Sequence, residues 1–108
     1  MEDNDLLMMA AKAAGIEAGV IHQRPHRRCP EGWTPWNPLR DDGDAFRLAA
    51  ALRLDMTFKA FGEDEVMVSD SEDRFPGWFS DPYEGDPAAA LRRSIVRGAA
   101  AVAGAPDA

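Results

Sequence analysis

Residues Trp33–Leu54 read WTPWNPLRDDGDAFRLAAALRL: a Trp/Pro entry, an acidic helix start and an amphipathic helix in immediate succession. Pro38 and Leu39 lead into Asp41, Asp42 and Asp44. Asp41 or Asp42 caps the helix by accepting backbone N–H bonds, worth about 1 kcal/mol. The remaining carboxylates gain from the positive end of the helix dipole. Ala45, Leu48, Ala49 and Leu52 then form an apolar stripe, with Phe46 on its flank and Arg47 and Arg53 on the wet side.

Downstream, the pattern changes period. Leu54, Met56, Phe58 and Ala60 alternate with Asp55, Thr57 and Lys59, which predicts a half-buried strand over 54–61. Gly62-Glu63-Asp64 reads as a turn, and Val66 and Val68 as a second, antiparallel strand ending at Ser69-Asp70. Residues 71–86 form a long acidic segment holding Phe75, Trp78, Phe79 and Tyr83. It reads as a third strand around Trp78-Phe79, an aromatic loop folded onto the core, or an exposed recognition loop. Asp86-Pro87 starts a final helix, an acid at the cap and Pro at the first turn. Leu91, Ile95, Ala99 and Val102 give it an apolar face, and Arg92, Arg93 and Arg97 an outer one. Gly98 costs that helix about 1 kcal/mol relative to Ala, which a close helix-on-sheet approach would offset. Gly104 and Pro106 end it, and residues 105–108 are expected to be a disordered tail.

Upstream, Leu6, Met9, Ala10 and Ala13 predict a helix over Asp3–Ala14, stopped by Gly15 with Ile16 packing back on its last turn. Val20 and Ile21 suit a short edge strand. Pro25, Pro30, Pro35 and Pro38 then predict a Pro/Trp/Arg loop over 22–40, because proline denies a central strand its donors. Trp33 and Trp36 in that loop either cap one edge of the core or form a partner-binding surface. The expected fold is a single α+β domain over 1–104, a small layered structure. In it an antiparallel hairpin or three-stranded sheet is packed by about three helices.

Charge and composition narrow the function. The chain of 108 residues has a net charge of −7, which argues against a duplex DNA or RNA binder. The charge is divided: residues 24–40 hold Arg24, Arg27, Arg28 and Arg40 against Glu31, whereas 41–86 is strongly acidic. A single cysteine, Cys29, leaves no internal disulfide framework. Glu2, Asp3 and Asp5 stand where a secretory leader carries positive charge, and no apolar run approaches membrane-spanning length. A soluble cytoplasmic protein, without membrane association, is the expectation.

Two segments resemble known proteins. Trp36-Asn37-Pro38-Leu39 followed by Asp41–Ala49, and the ending Asp86-Pro87, Ala90, Arg92-Arg93 and Ile95-Val96, resemble small uncharacterised phage and prophage proteins of proteobacteria. The layout is similar to the phage ABA sandwich domain family. Ser94 departs from the pattern, which has Ala there, as does the Arg/His/Cys stretch before the tryptophans. The resemblance implies a phage accessory protein and no catalytic role.

Chemistry-bearing constellations are few. His22, His26 and Cys29 give the one metal-like spacing, but zinc normally takes four ligands and no second Cys or further His exists. Asp41, Asp42 and Asp44 lack the order of a calcium loop, and capping accounts for them. No nucleophile motif and no phosphate-cradling glycine loop is present. No metal, cofactor or catalytic residue is therefore expected. Arg27, Arg28, Trp33, Trp36, Trp78, Phe79 and Tyr83 form the candidate partner surface. The leading expectation is a protein-binding accessory factor, one form of which is an acidic inhibitor of a host or defence protein. The alternatives are a weak single-stranded nucleic-acid binder through the Arg/Trp segment and, least favoured, a small hydrolase or nuclease. Unpaired sheet edges also make a homodimer plausible.

Overall fold

In the computed structural model, which describes residues 1–58, 65–83 and 85–105, nine elements follow one another. They are α1 (Asp3–Ala13), β1 (Ala18–Ile21), β2 (Arg24–Cys29), β3 (Gly32–Pro35), α2 (Asp42–Leu52), β4 (Leu54–Phe58), β5 (Glu65–Asp70), β6 (Trp78–Pro82) and α3 (Pro87–Val102). The domain is α+β, with two antiparallel sheets, β1-β2-β3 and β4-β5-β6, packed against three helices.

Helix ends follow the local chemistry. Asp41 caps α2 by accepting from the Asp44 amide at 2.8 Å, and Asp86 caps α3 by accepting from the Ala89 amide at 3.0 Å. Gly15 has φ +73, and the Ile16 and Gly15 amides donate to the Ala11 and Lys12 carbonyls. That is the Schellman stop expected there. Gly104 ends α3 in the same way, with the Ala105 amide returning to the Ala100 carbonyl.

Helix α3 is the hub. It packs on α1, α2, β5 and β6, so Ser94, Ile95, Val96, Gly98, Ala99 and Ala100 are all buried. A Cβ at Gly98 would sit 3.3 Å from Val68 Cγ1 and 3.4 Å from Phe75 Cζ, so the missing side chain does permit the close helix-on-sheet approach. Leu7, Leu48, Leu52, Leu54, Phe79 and Trp36 complete the core around it.

Two features differ from the sequence reading, and one alternative that it left open is settled. First, residues 22–40 hold β2 and β3, two strands of a three-stranded meander, and are not a loop. The prolines are accommodated: Pro25 lies next to the β1–β2 turn and uses its carbonyl to accept from the Trp36 amide at 3.1 Å. Pro35 closes edge strand β3, where a missing donor costs little. Second, of the three readings open for 71–86, a third strand holds, as β6. Third, β4 is not half-buried, since only Leu54 is covered and Met56 and Phe58 are 40% and 52% exposed. The end of the expected 54–61 strand, the 62–64 turn, Pro106 and all of the 105–108 tail but Ala105 lie outside the described residues.

The β1–β2 turn also explains why its sheet is hard to read. His22 and Gln23 both have positive φ, 51° and 65°, the type I′ geometry that usually calls for Asn-Gly. A non-glycine residue in that region is strained by roughly 1–2 kcal/mol. Gln23→Gly is expected to raise stability by about 1 kcal/mol after glycine's own entropic cost, read as a higher urea midpoint with unchanged slope. The Asn4 side chain donates to the Gln23 carbonyl at 3.3 Å, a contact the substitution retains.

Candidate binding surface

Strand alternation divides the meander into two faces. With Gly19 opposite His26, Ile21 opposite Arg24 and Arg28 opposite Trp33, these residues and Pro35 share one face. Ala18, Val20, Pro25, Arg27, Cys29 and Thr34 share the other. Pro25 is buried there and Ala18 packs on the core, so the first face is the outward one.

On that outward face Trp33 is 42% exposed, and Arg24, Arg28 and Pro35 are exposed beside it. The indole reaches across β2 to β1, its Cη2 3.7 Å from where a Cβ of Gly19 would lie. The Arg28 guanidinium stands 5.8 Å from the ring centroid, a cation–π distance. His26 Nδ1 lies 2.9 Å from the Arg24 carbonyl oxygen. A carbonyl only accepts, so Nδ1 is the donor in that contact.

Where this face meets the N-termini of α1 and α2, a cleft of about 620 Å³ opens, lined by Asn4, Gln23, Arg24, Arg40 and Asp41 among others, with Trp36 on its wall. Asp44, at its edge, is fixed by the Asn37 amide at 2.9 Å and by Arg47 at 2.8 Å.

The seven candidate residues do not form one surface. Arg28 and Trp33 meet on the outward face, while Arg27 is half-buried on the reverse of the same strand. Trp36 is 2% exposed and Phe79 9%, so both are core residues and leave the proposed surface. Phe79 packs edge-on against Phe75 at 5.3 Å, beneath the Arg97 guanidinium at 4.9 Å. Trp78 is exposed on the other sheet, and Tyr83 packs edge-on against Phe58 at 6.2 Å. The candidate partner surface left out Arg24, read only as part of the Arg/Trp segment, and His26; their place on the Trp33 face follows only once β2 is known to be a strand.

The distribution of ion pairs is the informative electrostatic feature. Arg47 pairs with Asp44, Arg74 with Asp70 and Glu72, Arg92 with Asp42, and Arg93 and Arg97 with Asp81. Asp81 also accepts from the buried Ser94 hydroxyl at 2.5 Å. Asp70 is held well below the usual carboxyl range, at about 2, chiefly by the Arg74 side chain. Among the described residues, Arg24, Arg27, Arg28 and Arg40 carry no ion pair.

His26 and Cys29 lie on opposite faces of β2, and no group of three His, Cys, Asp or Glu is placed to hold a metal ion among the described residues. No described helix is long and apolar enough to cross a membrane. Comparison of the chain with protein-family models, with curated proteins and with solved structures finds no match.

Proposed function

We propose that this domain is a non-catalytic binding module, and that the outward face of β1-β2-β3 docks an extended acidic segment of a partner protein. The observation that carries this reading is the grouping of Arg24, Arg28 and Arg40, which carry no ion pair among the described residues. In a chain of net charge −7, the carboxylates Asp42, Asp44, Asp70, Glu72 and Asp81 are engaged with other arginines. Arg24, Arg28 and Arg40 are left to one sheet face and its cleft. Arginine beside an exposed tryptophan is the usual composition of an interface hot spot, and unpaired cations steer an acidic partner onto it. The resemblance to small phage proteins supports a partner in the infected host cell, in the cytoplasm.

A protein segment is favoured over single-stranded nucleic acid by two features. Arg28 already occupies one side of the Trp33 ring, where a base would stack. The acidic remainder of the domain also repels a long polyanion.

The test uses a labelled peptide of mixed Asp and Glu and a labelled single-stranded oligonucleotide of matching length, read by fluorescence anisotropy. The peptide is expected to bind with salt-sensitive affinity. Arg24→Glu with Arg28→Glu lowers that affinity by about tenfold or more, whereas Lys12→Glu, on α1, leaves it nearly unchanged. Tighter binding of the oligonucleotide, or equal loss with Lys12→Glu, overturns the assignment.

A further inference from the structure

We infer that two copies of this chain pair strand β4 with strand β4, antiparallel about a two-fold axis at Met56, so that two β4-β5-β6 sheets become one. The inference rests on a different surface from the proposed docking face and is independent of it.

Strand β4 is an outer strand, with β5 on one side only. Register places Met56 beside Val68 and Phe58 beside Val66, on the side of the sheet that faces α3. Val66 and Val68 are fully buried, yet Met56 and Phe58 are 40% and 52% exposed. Helix α3 lies over β5 and β6 and scarcely reaches β4. An apolar row on an open strand edge is therefore left uncovered, the arrangement that templates further strand pairing.

The other edges are blunted. Strand β6 ends in Pro82 and turns the carboxylate of Asp81 inward, β3 ends in Pro35, and β1 is four residues long and contains Gly19. Inward charges, prolines and short strands are the devices that discourage edge pairing. Strand β4, Leu-Asp-Met-Thr-Phe, has no proline, glycine or inward charge.

The sequence of β4 complements itself, which identifies the occupant as a second copy. Antiparallel pairing centred on Met56 sets Leu54 against Phe58 of the second copy and Met56 against Met56, all on the apolar side. On the opposite side Asp55 meets Thr57, whose hydroxyl can donate to the carboxylate. Moving the centre to Asp55 would place two carboxylates face to face, so charge disfavours that register. A closed two-fold contact of this kind is isologous and does not propagate into filaments.

Sedimentation equilibrium of the full chain is the test. The expected mass rises with concentration toward twice the single-chain value of 11.8 kDa. Met56→Arg, which sets two guanidinium groups together at the axis, is expected to remain monomeric and to melt as the wild type does at concentrations where that is monomeric, because Met56 is exposed. In a Cys29→Ser background, Met56→Cys is expected to cross-link to itself on mild oxidation, since opposed strand residues lie within disulfide reach. Thr57→Cys, facing Asp55, is not. A wild-type chain that stays monomeric throughout, a dimer that survives Met56→Arg, or equal cross-linking at both positions overturns the inference.

Discussion

Asp70→Asn is expected to destabilise the domain by roughly 3 kcal/mol, at the low end for a broken buried pair because Arg74 keeps some solvent contact. The Asp70 side chain is fully buried and Arg74 is 31% exposed. Its carboxylate accepts from the Glu72 amide at 3.0 Å, the Arg74 amide at 2.7 Å and the Arg74 guanidinium at 2.9 and 3.0 Å. The same guanidinium donates to the Leu52 carbonyl, tying the end of β5 to the end of α2. An amide in place of the carboxylate keeps one acceptor and sets an N–H group against these donors.

The pH dependence gives an independent reading of the same interaction. The carboxyl of Asp70 is lowered from 3.8 to about 2 in the folded chain. A depressed folded value contributes stability that is complete above the unfolded value and is lost as the pH falls through the folded one. The contribution is roughly 2 kcal/mol. Urea melts of the wild type are expected to weaken between about pH 4 and pH 2. Asp70→Asn, already weaker at neutral pH, lacks that segment of the slope.

The second large effect separates two tryptophans that look alike in the sequence. Trp36→Ala is expected to cost about 3–5 kcal/mol, because its side chain is removed from a closed core. That is a large part of the total stability of an ordinary domain. Trp33→Ala, by contrast, removes a ring that is 42% exposed and costs about 1 kcal/mol. If the proposed docking face is right, Trp33→Ala is expected to weaken binding of the acidic peptide by about tenfold or more while the chain stays folded. Paired thermal melts and anisotropy titrations check both halves. A Trp33→Ala chain that binds normally would remove the ring from the docking surface.

The helices were legible in the sequence because each is punctuated by its own chemistry: Asp41 and Asp86 at the caps, Gly15 and Gly104 at the stops. Gly98 was legible for the same reason, since a glycine inside an amphipathic helix implies something close against it. The β1-β2-β3 sheet was hidden by two local contradictions. Its tight turn uses His-Gln in place of Asn-Gly, and its middle strand carries a proline. Tertiary context settles both. Pro25 is tolerated because its carbonyl and not its amide is needed, by Trp36.

The site was less legible than the fold. A segment rich in Arg and Trp announces a surface, but alternation along an unrecognised strand decides which side chains share it. Arg24 and His26 join Arg28 and Trp33 by that alternation, and Arg27 is turned away by it. The aromatic segment after Ser71 contributed Phe79 to the core for a similar reason. Opposite Val68, it faces α3, while Trp78, one residue earlier, faces away.

The packing of α1 against α3 bears on the order in which this chain assembles. Each sheet is a meander of sequence neighbours, so its contacts close short loops and can form early. The two helices at the centre of the core are different, because both sheets and α2 lie between them in the sequence. Bringing them together closes the longest loop in the domain, and that entropy is spent before the burial of Leu7 and Val96 returns it. The docking of α1 onto α3 is therefore expected to be a late step in folding, seen as slower refolding when Leu7 or Val96 is truncated only if that contact forms in the transition state.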